Sequence, residues 1–327
     1  MEAAKDRNYR PLRVAAIGGG HGLSAMLRGL KRYTSEITAI VTVADDGGSS
    51  GMLRSELGIL PPGDIRNCIL ALSNVEPTME RLLNYRFPEG CLSGQCFGNL
   101  FLAAMNGISD SFDEAVRKMS DILAITGSVL PVTTADVHLE AEFDNGERIL
   151  GESKIFYAKK KNHSKIRQVR LVPEHPPALP MSLLAIEQAD LIVIGPGSLY
   201  TSIIPNFLVQ GIGEAVAKAK APKIFVMNIM TQEGETEECT GCEHILALLR
   251  HAPGTITACL ANNRTFASKE LEAYSLEGVA PIRLEREKIE SLGIRVAEEP
   301  LASVGRYIRH DGDKLARAIL KLYRELK

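Results

Sequence analysis

Two glycine-rich segments stand where each could hold a phosphate group. The first, GGGHG at 18–22, follows the apolar run 12–17, and the second, GPGS at 195–198, follows the apolar run 191–194. A glycine turn between a strand and a helix exposes backbone N–H groups at the positive end of the helix dipole, which suits an anion. Two such turns predict a ligand with a diphosphate and a polyhydroxyl part. The residues predicted to bind it here are Gly18, Gly19, Gly20, His21, Gly22, Ser24, Gly195, Gly197, Ser198, Thr201 and Ser202.

Acidic residues after the next apolar run, 37–43, indicate a second part of the same site. Asp45 and Asp46 follow that run, and ligands of open α/β sheets bind at the carboxyl ends of strands. Asp64 belongs to a neighbouring loop and can join Asp46 in holding Mg²⁺ through oxygen ligands. The alternative for Asp64 is a helix N-cap, because a helical pattern begins there and Asp is favoured at that position. Both interpretations stay open at this point.

Three further residues are candidates for contacts with the ligand. Asn228 lies in the apolar run 224–229 and either lines the crevice or satisfies local backbone groups. Arg309 suits a phosphate because its guanidinium is a planar fork, and Tyr274 suits a base because its ring offers a π-face. The alternatives are a surface ion pair for Arg309 and a core aromatic for Tyr274.

Other chemistries have less support. The first turn has Leu23 where the dinucleotide fingerprint requires Gly or Ala, so a nicotinamide cofactor rests on that turn alone. No Walker lysine follows either glycine loop, and no HExxH or nucleophile elbow is present, which disfavours hydrolase and kinase-type activities. Cys239 and Cys242 have metal-ligand spacing, but His244 would be only a third donor. Free thiols in a loop entering a helix are therefore favoured over zinc.

The elements that must position these residues alternate between strand and helix patterns. Apolar runs of strand length at 12–17, 37–43, 191–194, 224–229 and 255–260 are separated by helical periodicity, which predicts a doubly wound, mostly parallel, Rossmann-like α/β sheet. Helical patterns are predicted at 64–72, 78–85, 98–105 and 112–125. A C-terminal helix is predicted to begin at Asp311 or Asp313 as the cap. We expect one domain over 1–327.

The period changes to two at about 136–172, which predicts an antiparallel β-rich insertion. Apolar residues alternate with polar ones from Val137 to Phe143, and DNG at 144–146 gives a hairpin turn. The insertion ends in a basic stretch, Lys159, Lys160, Lys161, Lys165, Arg167 and Arg170. A solvated loop or an oligomer contact is favoured for this stretch over a nucleic-acid surface.

Composition narrows the function classes. The chain has 327 residues, 45% hydrophobic and 24% charged, with a net charge of −2, which is typical of a soluble globular protein with small-molecule or protein partners. Near-neutral charge argues against nonspecific binding of nucleic acid or anionic lipid. No apolar run reaches the roughly 18 residues that a membrane span needs, and no secretory signal is predicted. Six sparse cysteines fit the reducing cytoplasm.

Seven motifs in order carry a resemblance to a known family. They are VAAIGGGHGLSAMLRGLK (14–31), VTVADDGGSSGMLR (41–54), PPGDIRNC (61–68), GNLFLAA (98–104), GPGSLYTSIIPNFLV (195–209), NIMTQEGET (228–236) and RHD (309–311). Together they span nearly the whole chain. The sequence resembles the YvcK group of gluconeogenesis factors, within the wider superfamily of the 2-phospho-L-lactate transferase CofD.

The YvcK resemblance implies a cytoplasmic protein, with no required cofactor, that binds UDP-sugars such as UDP-N-acetylglucosamine and supports cell-wall morphogenesis and growth on gluconeogenic carbon. The CofD branch instead implies transfer of a phospholactyl-type group with Mg²⁺ held at positions like Asp46 and Asp64. The transferase pattern resembles Pro-Asp-Leu-Asp-Thr where this chain has PGDIRN, which replaces a carboxylate and adds Arg66; this favours the binding branch. Asp46, Ser49, Asp64 and Asn67 would face the sugar. A homo-oligomer and regulatory protein partners are expected.

Overall fold

A seven-stranded parallel sheet forms the centre of the protein. The computed structural model describes residues 10–274 and 278–327. The strands of the sheet are β1 (Val14–Gly18), β2 (Ile37–Val41), β3 (Ser128–Pro131), β7 (Leu191–Ile194), β8 (Lys223–Val226), β9 (Ala258–Asn262) and β10 (Arg295–Glu299). The other strands are β4 (His138–Phe143), β5 (Arg148–Leu150), β6 (Ile166–Val172), β11 (Ala302–Val304) and β12 (Ile308–His310).

The order of the strands places a crevice at the middle of the sheet. The order is β10-β9-β8-β7-β1-β2-β3, and every neighbouring pair is parallel. The chain moves outward from β1 to β3 and then returns to the other side of β1 with β7. Between β1 and β7 the connections therefore leave in opposite directions, which opens a crevice at their carboxyl ends. The predicted doubly wound sheet is confirmed.

Helices cover both faces of this sheet. They are α1 (Gly20–Leu30), α2 (Gly48–Leu57), α3 (Gly63–Leu72), α4 (Pro77–Leu83), α5 (Phe97–Gly107), α6 (Phe112–Ile122), α7 (Glu152–Asn162), α8 (Pro180–Gln188), α9 (Ile204–Phe207), α10 (Ile212–Lys218), α11 (Gly241–His251), α12 (Ser268–Leu271), α13 (Arg286–Ser291) and α14 (Gly312–Leu326). A π-helical turn, Leu199–Ile203, precedes α9, and a 3₁₀ turn, Glu272–Tyr274, follows α12. No helix in the described ranges has the length and apolar character needed to cross a membrane.

The strands at the centre are apolar along their whole length because helices cover them on both sides. All residues of β1, β7 and β8 are buried. Lys223, the first residue of β8, is charged rather than apolar. Its ammonium group donates a hydrogen bond to the carbonyl oxygen of Ala217. Continuous apolar runs of this kind are the pattern from which the parallel sheet is predicted.

The C-terminal helix α14 packs directly on α1, the helix that follows the first glycine loop. The two backbones approach so closely that a Cβ atom at Gly29 would lie 1.9 Å from the carbonyl oxygen of Gly312. Asp311 is the N-cap of α14, and its carboxylate accepts hydrogen bonds from the backbone N–H groups of Asp313 and Lys314. Of the two predicted caps, Asp311 is therefore the one observed.

The insertion is the predicted antiparallel sheet, in the order β5-β4-β6, with alternating buried residues on β4. Most of its basic stretch is not a loop, however, because residues 159–161 lie on α7 and Arg167 and Arg170 lie on β6, with Lys165 in the link between them. The segment from Glu152 to Asn162 has neither Gly nor Pro, and its lysines are good helix formers. Acidic partners neutralise much of its charge, in the pairs Lys159–Glu237, Lys160–Glu233, Lys165–Glu243 and Arg170–Glu140.

Candidate functional site

The two glycine loops meet at the crevice between β1 and β7. The nearest approach is that of Gly22, where an added Cβ atom would lie 2.6 Å from the carbonyl oxygen of Pro196. A Cβ atom at Gly197 would lie 3.0 Å from the carbonyl oxygen of Gly19. The buried Asn206 donates through Nδ2 to the carbonyl oxygen of Gly18, 3.2 Å away. The loops therefore form one surface, as the strand order requires.

The second loop does not present a free set of backbone amides. The N–H groups of Tyr200 and Thr201 donate to Glu235 Oε1 at 2.8 and 2.9 Å. The N–H of Gly197 donates to Asn228 Oδ1 at 3.2 Å, and Asn228 Nδ2 donates to the carbonyl oxygen of Gly197 at 2.7 Å. The anion held by this turn is thus the protein's own carboxylate. The prediction that this loop cradles a diphosphate is corrected, and Asn228 satisfies local backbone groups instead of lining an open site.

The first loop is partly occupied in the same way. Asp64 accepts a hydrogen bond from the backbone N–H of Gly20, and a Cβ atom at Gly19 would lie 2.6 Å from Asp64 Oδ2. Burial, together with the charge of Asp45, raises the pKa of Asp64 to about 6. The N-cap position of α3 belongs to Pro62, which has no side-chain cap. Asp64 therefore acts on the glycine loop rather than as the N-cap of its own helix.

A cavity of about 440 Å³ lies beside the first turn of α1, and it brings together five of the predicted residues: His21, Gly22, Ser24, Asn67 and Arg309. The rest of its wall comes from α1, α3, the segment between α4 and α5, and β12. These additional residues are Ala25, Arg28, Arg66, Leu70, Asn84, Arg86, Cys96 and His310. The cavity is therefore built from four separate parts of the chain.

The cavity is strongly basic. Four arginines line it, and the described lining includes no Asp or Glu. Burial lowers the pKa of the His21 imidazole, and Arg309, Arg66, Arg28 and Arg86 act in the same direction. The four arginines thus line a cavity at the N-terminal turn of α1, where the helix dipole adds to their charge, although Arg28 also pairs with Glu80 at 3.4 Å. Such a pocket favours a ligand with more than one negative charge.

Sequence reasoning missed three of these arginines as binding residues. Arg28 lies seven positions after His21 on α1, so the two share a helix face, and this spacing is a signal that was available. Arg66 was noted only as a departure from the transferase pattern. Arg86 lies between α4 and α5, where periodicity gives no information.

Carboxylates gather on the other side of Asp64. Asp46 Oδ1 accepts from the backbone N–H of Ser153 at 2.8 Å, and Asp45 Oδ1 accepts from that of Gly47 at 2.9 Å. Burial and the neighbouring Asp45 and Asp46 raise the pKa of Glu152 to about 8. Burial also raises the pKa of Asp45. The crevice therefore has a basic side and an acidic side, with Asp64 between them.

The predicted Mg²⁺ ligands do not form a metal cage. Within residues 10–274 and 278–327, no three or more His, Cys, Asp or Glu side chains are grouped to hold a metal ion. Asp46 and Asp64 each already accept a backbone N–H group. A divalent cation would need oxygen ligands from elsewhere, such as the phosphates of a bound molecule. Mg²⁺ stays a prediction that belongs to the transferase alternative.

Several other predicted residues lie outside the cavity. Ser49 is buried, with its hydroxyl donating to Gln95 Oε1 at 2.7 Å and accepting from the backbone N–H of Cys96. The hydroxyl oxygen of the buried Tyr274 accepts from the backbone N–H of Ile308, so the core alternative describes its position. Neither side chain is placed to contact a ligand in this cavity. Gly18, Gly195, Ser198, Thr201 and Ser202 border the loop contact without lining the cavity.

Comparisons with known proteins agree with this architecture. The model of the family 2-phospho-L-lactate transferase CofD matches residues 14–302. The chain is 46% identical over 316 residues to the gluconeogenesis factor of Bacillus subtilis (strain 168), covering 96% of this chain and 98% of that protein. It is 43% identical over 311 residues to the gluconeogenesis factor of Halalkalibacterium halodurans, covering 94% of this chain and 95% of that protein. A crystal structure of a UPF0052 family member from Bacillus halodurans matches with a TM-score of 0.92 at 42% identity, covering 96% of this chain and 100% of that one.

Proposed function

The chain belongs to the 2-phospho-L-lactate transferase CofD family, and within it we propose that this protein binds a nucleotide-sugar of the UDP-N-acetylglucosamine type. It acts in the cytoplasm as a regulator that supports cell-wall synthesis and growth on gluconeogenic carbon sources. The relatives named gluconeogenesis factor support the role in growth on gluconeogenic carbon sources. The ligand occupies the basic cavity beside the first turn of α1.

The single observation that carries the ligand proposal is the basic cavity at the N-terminal turn of α1. His21 and Gly22 bring the first turn of the helix to the wall of the cavity, and Arg309 faces them from β12. The first turn of a helix carries N–H groups without intrahelical partners, and these favour a phosphate oxygen. Since Glu235 occupies the second loop, one helix N-terminus and the arginines must hold the diphosphate.

Titration calorimetry with UDP-N-acetylglucosamine tests this proposal directly. We expect Arg309→Gln to weaken binding at least tenfold, which corresponds to about 1.4 kcal/mol, because a charge-assisted contact to phosphate is lost. Arg309 is exposed, so the melting temperature should stay unchanged. Arg148→Gln removes an arginine from the insertion, where it pairs with Glu142, and serves as the control with unchanged affinity. No heat with UDP-N-acetylglucosamine, while GDP binds, would contradict the proposal.

A transferase is the second candidate, and Asp64 is the observation that favours it. Its pKa of about 6 suits a group that takes a proton near neutral pH, at the boundary between the basic cavity and the acidic side. This activity would act on a nucleoside diphosphate-linked donor and would require Mg²⁺ brought in with the phosphates. Asp64→Asn keeps an acceptor for the Gly20 N–H and should abolish turnover without abolishing binding. Turnover retained by this variant would exclude Asp64 as the group that takes the proton, and absence of turnover in the wild type would exclude the transferase.

A further inference from the structure

Arg66 is a buried charge that forms no ion pair with any of the described residues. Only 6% of the residue is exposed, and no carboxylate of the described chain lies within 4.0 Å of its guanidinium. Its hydrogen-bond acceptors are all neutral: Asn67 Oδ1 at 2.7 Å, Asn84 Oδ1 at 2.9 Å and the carbonyl oxygen of Leu83 at 3.4 Å. Nε has no partner at all. Buried charges in proteins are normally paired, so this one lacks the anion that would balance it.

The fold holds this guanidinium in one place. Gly98 on α5 leaves room for the Arg66 side chain, because a Cβ atom at Gly98 would lie 2.6 Å from Arg66 Cδ. The two asparagine oxygens contact NH1 and NH2 from different elements, α3 and the segment after α4. The Arg66 side chain therefore loses its conformational entropy on folding, and its guanidinium is already positioned before a ligand binds.

The described surroundings place no carboxylate in contact with the guanidinium. Burial lowers the pKa of Arg66 and Arg86 acts in the same direction, while Cys96 and Asp64 act in the opposite direction. Asp64 lies on the same helix but directs its carboxylate to the Gly20 N–H. Arg66 lines the same cavity as His21 and Arg309, so an anion at the first turn of α1 lies between two guanidinium groups.

We propose that Arg66, held by Asn67 and Asn84, is a preset anion subsite that takes one phosphoryl group of the ligand. That this phosphoryl group belongs to a nucleotide rests on the function proposed above, whereas the subsite itself requires only a phosphate-type anion. A neutral molecule such as a free nucleoside would leave Arg66 unbalanced and should bind far more weakly than its diphosphate.

Asn84→Asp tests the subsite without removing Arg66. The new carboxylate keeps the size of the side chain and its contact with NH1, and it supplies the counter-charge from within the protein. We expect the melting temperature of the free protein to stay unchanged or rise, while affinity for inorganic pyrophosphate in calorimetry falls at least tenfold. Asn145→Asp adds the same charge at the hairpin turn of the insertion, at a residue that does not line the cavity, and should leave affinity unchanged. Asn67→Asp places a carboxylate beside Nη2, on the other side of the Arg66 guanidinium, and is an independent second variant.

The outcomes separate the two proposals. Pyrophosphate binding that falls in Asn84→Asp and Asn67→Asp but not in Asn145→Asp supports the subsite, even if UDP-N-acetylglucosamine fails to bind and the nucleotide proposal is lost. Absence of pyrophosphate binding to the wild type, or wild-type affinity in both pocket variants, overturns the subsite. In that case, retained binding of UDP-N-acetylglucosamine would leave the proposed function standing. A purely structural role of Arg66 predicts altered melting temperatures with unaltered affinity, and this result also overturns the subsite.

Discussion

Gly22 in the first glycine loop lies against the carbonyl oxygen of Pro196 in the second, with room for no side-chain atom between them. A Cβ atom at Gly22 would stand 2.6 Å from that oxygen and 3.2 Å from the backbone nitrogen of Gly197. The contact joins the N-terminal turn of α1 to the loop after β7. It therefore sets the width of the crevice at its base.

Gly22→Ala should separate the two loops. Alanine favours a helix over glycine, so propensity alone would predict a stabilising change. The backbone contact instead predicts a loss of about 1–3 kcal/mol in the free energy of unfolding, together with weaker binding of UDP-N-acetylglucosamine. Urea denaturation measures the first effect and calorimetry the second. Gly107→Ala, on α5 with open space around it, is the matched control and should be neutral or slightly stabilising. Unchanged stability of Gly22→Ala would show that the loops are free to move apart.

Asp46 should stabilise the N-terminus of α7, although it lies in a different segment of the chain. Its carboxylate accepts from the Ser153 N–H and so joins the loop after β2 to the insertion. Asp46→Ala should cost about 1 kcal/mol in the free energy of unfolding and speed amide hydrogen exchange at Ser153. Asp46→Asn keeps an acceptor oxygen and should lose less. Equal losses in the two variants would mean that the charge, rather than the hydrogen bond, is what matters.

Glu152→Gln should stabilise the protein at alkaline pH. Burial and the neighbouring carboxylates raise the folded-state pKa of Glu152 from its ordinary 4.5 to about 8. Between these values the unfolded chain releases the proton that the folded chain keeps, so the free energy of unfolding falls as the pH rises, by up to about 1.4 kcal/mol per pH unit. Above about pH 8 the full penalty remains. The variant lacks it, so its advantage should grow from pH 5 to pH 8, as measured by urea denaturation at each pH.

The control for this pH series is Glu214→Gln on α10. Glu214 is exposed and pairs with Lys218 on the same helix, so its removal should shift stability by a small, nearly pH-independent amount. Parallel stability curves for Glu152→Gln and wild type would contradict a Glu152 pKa raised by burial and by the charges of Asp45 and Asp46.

The fold could be predicted from the sequence because its signals are local. Continuous apolar runs ending in glycine, with helical periodicity behind them, identify β1, α1 and β7 without any knowledge of distant contacts. The short strands β3, β11 and β12 have no such run and were not predicted. The high charge of the basic stretch favours a solvated loop, but the helix propensity of its lysines is the stronger signal for residues 159–161.

The site could be predicted only in part because its contacts are not local. The amides of the second loop have the expected geometry, but the carboxylate of Glu235, 35 residues away from Tyr200, fills them. Nothing near GPGS in the sequence indicates this partner. Arg66 is visible in the sequence as one of two charged residues in the helix α3, yet its burial and its neutral partners depend on Asn84 and Gly98, which belong to other elements.

The packing of α14 on α1 places this helix beside the basic cavity. Arg309 stands two residues before Asp311, the cap from which α14 begins, and Gly312 meets Gly29 just beyond it. The helix of 15 residues thus holds Arg309 in the wall of that cavity. Removal of α14 would release this arginine together with the helix, so the shape of the cavity depends on a helix that contributes none of its lining residues.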